Sequence, residues 1–189
     1  MKVLAVEDGG FPEGKLGERR GDALLIGVIL SDLRIEGVLV SHIIVDGLDA
    51  TDKLIEMIGG EKGQIDLIML ASISYGGFNL VDPIQTYDRL KIPVVVVNPK
   101  EPDNIAVRRA LIRHFTDWRE RLVIIEKVGK PHRLGLGPGR FLYFHAIGLP
   151  QSEAVELIRG MVVFGNRPEP LRIAHMLAHG LSRGDHVSP

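Results

Sequence analysis

An α/β fold built on one mixed sheet is what this sequence predicts, on three observations. Val, Ile and Leu concentrate in three early segments joined by turn-rich links. After residue 46, helical periodicity alternates with unbroken apolar runs. The chain has 189 residues with 45% hydrophobic content, enough for one domain with a substantial core. A single domain over residues 1–189 is therefore expected. A meander followed by alternation gives a sheet with both antiparallel and parallel neighbours, flanked by helices.

The early segments, at 2–7, 22–30 (DALLIGVIL) and 34–46 (RIEGVLVSHIIVD), read as strands. The link SDL at 31–33 suits a hairpin, so the second and third strands should be antiparallel. The link from the first to the second holds Gly14, Gly17 and Gly21 and fits a wide hairpin. DATDKLIEMIGG at 49–60 sets Leu54, Ile55, Met57 and Ile58 on one helical face, with Asp49 or Thr51 as cap and Gly59 as stop. IDLIMLAS at 65–72 and IPVVVVN at 92–98 are continuous apolar runs, the mark of strands buried on both faces. Between them, PIQTYDRL at 83–90 is a short helix opening on Pro83. Helices follow at 103–115, capped by Asp103, and at 116–128. KVGKPHRLGLGPGR at 127–140 reads as a long exposed loop, followed by a strand at 141–147 and helices near 151–161 and 169–179. With right-handed crossovers, this order matches a ribonuclease H-like mixed sheet of strand order 3-2-1-4-5 with an antiparallel second strand. A flavodoxin-like or Rossmann-like sheet is the alternative, and the early meander argues against it.

Charge and composition narrow the functional classes. There are 23 Lys and Arg against 24 Asp and Glu, so any grip on a polyanion must be a local patch. With no cysteine, disulfides, thiol catalysis and thiolate zinc sites are excluded. The apolar runs, such as VVVV at 94–97, are too short to cross a bilayer, and residues 1–20 carry acids and glycines where a signal peptide would be apolar. A soluble, cytoplasmic protein is expected.

In a ribonuclease H-like sheet, strands one, three and four run the same way, and their C-terminal ends form one edge, where open α/β sheets bind ligands. The first strand ends in Glu7 and Asp8, the third in Asp46, and the next helix opens with Asp49 and Asp52. Carboxylates from separate segments thus converge, as a Mg2+ or Mn2+ site requires. Asp49 and Asp52 also suit a helix N-terminus, and Asp46 before Gly47 suits a turn. Glu7 and Asp8 have the weakest structural explanation, because a buried strand rarely ends in two acids unless they are paired or bind something.

The segments VEDGGF, VDGLDAT, IMLASISYGGFNLVD and PEPLRIAHMLAHG resemble the largely archaeal domain of unknown function 99 family, which is related to endonuclease V. The resemblance covers almost the whole chain. Endonuclease V proteins have the ribonuclease H-like fold, use Mg2+ and hydrolyse a phosphodiester near deaminated purines, so the resemblance implies metal-dependent nucleic-acid chemistry here. Its first-strand Asp matches Glu7 or Asp8, and its second acid falls within 46–52, with Asp49 the preferred match. Catalytic candidates are thus Asp8, Asp49 and Glu7, and candidate metal ligands Glu7, Asp8, Asp46 and Asp49. The family's third acid falls at Ala71, and its next basic motif at YGGFN. Its late-strand histidine has no clear counterpart, His145 being displaced. A two-metal hydrolase holds ions about 4 Å apart with carboxylates on both flanking strands, so the alanine argues for a degraded site. Asp82 or Asn79 could replace the missing acid only from beyond a Gly-Gly turn.

Arg108, Arg109, Arg113 and His114 crowd one helix, with Arg119 and Arg121 next. Together with Lys127, Lys130, His132, Arg133 and Arg140, they could form the local patch that holds a phosphate backbone, with Arg109, Arg113, Lys130, Arg133 and Arg140 as the contacts and Trp118 stacking on a base. SYGGFN at 74–79 offers a weaker phosphate cradle of backbone amides, without a Walker lysine. His175 and His179, at i and i+4, could bind a metal only with a third ligand and read better as a helix-surface pair. The leading expectation is an endonuclease V-like, metal-dependent phosphodiester hydrolase with a degraded site. The alternatives are a non-catalytic nucleic-acid-binding module on the same fold, or a small-molecule or nucleotide-binding protein using the SYGGFN turn.

Overall fold

The computed structural model describes residues 1–11 and 14–184. Strands β1 (Lys2–Asp8), β2 (Asp22–Ser31) and β3 (Arg34–Ile44) form the predicted meander. Helix α1 (Ala50–Ile58), β4 (Leu67–Leu70), the short strands β5 (Ser74–Tyr75) and β6 (Asn79–Leu80), α2 (Pro83–Leu90) and β7 (Val94–Asn98) follow. Helices α3 (Asn104–His114) and α4 (Trp118–Val128), strands β8 (His132–Gly135) and β9 (Phe141–Ile147), and helices α5 (Gln151–Met161) and α6 (Glu169–Gly184) complete it. The main sheet has the order β3-β2-β1-β4-β7-β9-β8, with β4 parallel to β1 and β7 parallel to β4. Its first five strands reproduce the expected 3-2-1-4-5 order of a ribonuclease H-like sheet, with an antiparallel second strand.

Burial explains the strand assignments. Val3, Leu4, Ala5 and Val6 of β1 are buried on both faces, as a central strand requires, whereas β3 alternates because it is an edge. One face packs Leu4, Val6, Ile68 and Leu70 against α1, and the other packs Val3, Ala5, Leu67 and Met69 against α5 and α6. Asp103 caps its helix as expected, accepting from the Ala106 amide at 2.9 Å, and Asp82, which the sequence offered only as a spare acid, caps α2 by accepting from the amides of Ile84 and Gln85 at 3.0 Å. Asp49 occupies the N-cap position of α1 without making a capping bond.

Two segments differ from expectation. The 127–140 loop contains β8, which pairs with β9 because Leu134 is buried against the sheet while His132, Arg133 and Gly135 stay outside. SYGGFN is not an open cradle but the tight β5–β6 hairpin. Its Gly76 and Gly77 have φ of 49° and 89°, and a Cβ on Gly77 would lie 2.3 Å from Asp46 Oδ1, so only glycine fits.

Candidate active site

Because β1 is central and β4 lies parallel beside it, the C-terminal end of β1 opens onto the sheet edge where Glu7 and Asp8 sit. Successive side chains point to opposite faces. Glu7 therefore shares the side of Val3 and Ala5, toward α6, and is only 8% exposed. Its Oε2 lies 3.3 Å from His175 Nδ1 and 3.7 Å from Arg167 Nη1. At the strand end the Asp8 carboxyl comes within hydrogen-bonding reach of the Glu7 carboxyl, and it accepts from the Gly76 amide at 2.6 Å.

These surroundings disfavour charge. Burial, then the neighbouring Asp8, pushes the Glu7 carboxyl up to about 7, against the opposing pull of Arg167. Burial likewise raises Asp8, although the Gly76 N–H counteracts it. Burial, then Arg167 and His179, holds His175 below its usual value, so its ring is neutral at pH 7. Tyr75, fully buried, lies below the pair with its hydroxyl 3.4 Å from the Val6 carbonyl; burial and the two acids raise it well above the usual phenol.

The glycines after the acids let α6 approach. A Cβ on Gly9 would lie 2.0 Å from Ser182 Oγ and 3.2 Å from the Ala178 carbonyl, and the Gly10 amide donates to Ser182 Oγ at 2.8 Å. That approach brings His175 onto Glu7. His175 is thus not merely one of a surface pair, although its ring still stacks at 4.2 Å on His179. Arg167 and His175 were missed as partners of the acids. The available signal was the i, i+4 histidine pair directly after PEP, which places one ring on the packed face.

The remaining acids serve the frame. Asp46, with φ of 57°, accepts from Arg19 Nε and Nη2 at 2.9 and 2.8 Å, from the Gly17 amide at 3.1 Å and from the Phe78 amide at 2.9 Å. Asp49 accepts from the Ile44 amide at 3.1 Å and from Asn79, whose own Oδ1 accepts from the Ala50 amide. Asp52 pairs with Arg89 and Asp82 with Lys127, so neither Asn79 nor Asp82 turns to the Glu7 edge. Ala71 follows Leu70, the partner of Val6, and its N–H donates to the Val6 carbonyl at 3.3 Å, which puts it beside Glu7 with no acid to offer. The amides of the predicted phosphate cradle are likewise engaged, Gly76 by Asp8 and Phe78 by Asp46.

Among the basic candidates, Arg108, Arg109 and Lys130 line a groove of about 560 Å³ between α3 and α4. Arg113 is exposed on α3. Arg133 stacks over Phe141 at 4.3 Å. Arg140 donates to the carbonyls of Leu136 and Gly165 at 3.0 and 3.3 Å, fastening its loop. Arg121 is buried, held by Asp117 and donating to the carbonyls of Asp46, Gly47 and Phe78, and is a structural residue rather than a surface contact. Trp118 is half-buried with Arg119 over its ring at 4.4 Å.

Among the described residues, no group of three or more His, Asp or Glu stands close enough to hold a metal ion. The Glu7–Asp8 donor set nevertheless suits one hard cation, since Mg2+ commonly takes one or two carboxylates and completes its shell with water and substrate phosphate. It does not suit two, because Ala71 leaves the second flank bare.

The chain has relatives along its whole described length. Residues 1–182 match the family described as Endonuclease dU. A UPF0215 protein of Thermococcus gammatolerans is 39% identical over 188 residues, covering 98% of this chain and 94% of its own. A crystal structure of a protein of unknown function from Archaeoglobus fulgidus is 37% identical, covers 95% of this chain and 97% of that one, and superposes with a TM-score of 0.83. Endonuclease V of Ciona intestinalis, crystallised with a 24mer DNA containing an inosine followed by a ribo-adenosine, shares the fold at 10% identity and a TM-score of 0.64, covering 98% of this chain and 87% of that one. Among the described residues, no helix is long and apolar enough to cross a membrane. With its ribonuclease H-like sheet and a buried and a half-buried acid at the end of the central strand, this chain belongs to the Endonuclease dU family.

Proposed function

We propose that this protein is a metal-dependent endonuclease that cuts nucleic acid at a deaminated nucleotide, deoxyuridine in DNA being the first candidate. The observation that carries the reading is the Glu7–Asp8 pair. Two adjacent acids, kept out of water at a strand end and raised in pKa by burial, are costly to the fold and gain their use only when a cation or a proton is delivered to them. The family description and the DNA bound to the Ciona endonuclease V support the choice of substrate.

Glu7 and Asp8 would together hold one Mg2+ or Mn2+, which supplies Lewis-acid activation of water and neutralises charge on the phosphate. The chain's own residues do the rest. Arg167 balances the charge of Glu7, and the neutral His175 ring beside it holds the carboxyl in one orientation. The Gly76 amide fixes Asp8. Arg109, Arg113, Lys130 and Arg133 are exposed and supply the electrostatic grip on the strand. Asp46 and Asp49 hold the loops that frame the edge.

Incubation of the protein with Mn2+ and a strand carrying one deoxyuridine should give a single cut near that nucleotide. Glu7→Gln and Asp8→Asn should each abolish it, whereas cutting that survives both changes refutes the assignment. Ala71 favours a second reading, a binding module that retains the fold and the grip without hydrolysis. Retardation of the deoxyuridine strand with no cutting in any divalent cation would select it.

A further inference from the structure

A cavity on the α4 side of the sheet has no part in the chemistry above. Its volume is about 110 Å³, and its walls include Ser72, Phe78, Asn98, Ile125, Gly129 and His145. Ser72 follows Ala71, whose N–H reaches the Val6 carbonyl, so the cavity begins one strand away from Glu7 and Asp8.

His145, in register with Val96 of β7, is the unusual member of the wall. It is 8% exposed. Its Nε2 lies 3.2 Å from the Gly129 carbonyl, and since a carbonyl only accepts, Nε2 carries the proton of the neutral ring. Nδ1 is then a bare acceptor, buried and without a partner among the described residues. Burial holds the ring below its usual pKa, so it is neutral at pH 7 and Nδ1 stays unprotonated. A buried acceptor left unpaired costs stability, and an N–H donor brought to it recovers that cost.

We propose that the cavity receives an extruded pyrimidine and that His145 Nδ1 accepts the N3–H of uracil. The inference rests on the endonuclease reading above and names the feature of the base that the site selects. Deamination turns cytosine N3, an acceptor, into the N3–H donor of uracil, so a lone acceptor attracts the damaged base and repels its parent. Enzymes that act on damaged nucleotides commonly take the base out of the stack into such a pocket. At about 110 Å³ the resting cavity is smaller than the ~150 Å³ of a protein cavity that houses benzene, so its walls must open to admit the base. Thymine carries the same N3–H, and its methyl group must be rejected by the apolar walls rather than by His145. Nδ1 is closed to solvent in the free chain, so a small turn of the imidazole accompanies entry of the base.

The test uses the full chain labelled with 15N-histidine, in EDTA so that no strand is cut, and single-stranded decamers carrying deoxyuridine, deoxycytidine or N3-methyldeoxyuridine. The deoxyuridine decamer should move the Nδ1 resonance of His145 in the hydrogen-bonded direction, and the other two should leave it in place. His145→Phe, which keeps a ring in the wall but removes the acceptor, should weaken deoxyuridine binding about tenfold, to the level of deoxycytidine. An Nδ1 resonance that ignores a saturating deoxyuridine decamer overturns the inference, as does a folded His145→Phe that keeps its preference. Strand cutting is read separately, so a failure of the endonuclease reading is not mistaken for a failure of the base contact.

Discussion

Replacing Glu7 by glutamine should stabilise the fold while removing its proposed chemistry. The Glu7 carboxyl titrates at about 7 in the folded chain against an ordinary 4.5. For an acid whose folded pKa is raised, the folded state holds the proton longer, so stability falls as pH climbs from 4.5 through 7 and is level above that. At about 1.4 kcal/mol per tenfold change in acidity, the ionised carboxylate costs the apo protein about 3 kcal/mol at pH 8. Glutamine keeps the shape without the charge. In EDTA at pH 8, Glu7→Gln should therefore raise the melting temperature by about 6–12 °C, and at pH 4 the gain should vanish. Urea or thermal unfolding by circular dichroism reads both. Mn2+ should narrow the gap by stabilising the wild-type chain alone. A glutamine variant no more stable than wild type at pH 8 would show that Arg167 already neutralises the cost, and would remove the physical basis for treating the pair as a poised site.

Other expectations follow from the frame. Asp46→Asn breaks a buried pair with Arg19 and should cost about 3 kcal/mol in urea unfolding. Burial raises the Asp46 pKa, but the Arg19 bonds and the Phe78 and Gly17 amides outweigh it and hold it below 3.8, so its contribution is present above that pH and lost as pH falls further; an unchanged acid-unfolding midpoint in the variant would contradict this. Asp49→Asn should lower stability yet leave cutting within about threefold, since its carboxylate serves Ile44 and Asn79; a loss as deep as that of Asp8→Asn would return Asp49 to the metal site. Ala71→Asp should destabilise the chain in EDTA and increase its Mn2+ dependence, read by melting with and without the ion. Arg109→Ala with Lys130→Ala should weaken DNA binding without regard to sequence and reduce the slope of log affinity against log salt by about 2.

Much of the fold was legible before the structure, because hydrophobic period and turn chemistry are local. The continuous runs of β4 and β7, the meander, the Asp103 cap and the order around β1 all follow from such signals. β8 was hidden because a four-residue edge strand with one buried side chain leaves almost no periodic trace. The candidate site was legible only in part. Two acids ending an apolar strand, with glycines after them, announce themselves wherever the chain goes, since burying adjacent carboxylates has no local benefit. Whether Asp46 and Asp49 join them depends on which donors reach them first, and those donors, Arg19, Phe78 and Asn79, lie 27 to 32 residues away in sequence. The sequence by itself determined the sheet and the acid pair at its centre. Only the tertiary structure decided that Arg19, Phe78 and Asn79 engage Asp46 and Asp49, that Arg167 and His175 lie against Glu7, and that His145 Nδ1 has no partner among the described residues, because each rests on which distant groups the packing brings within hydrogen-bonding reach.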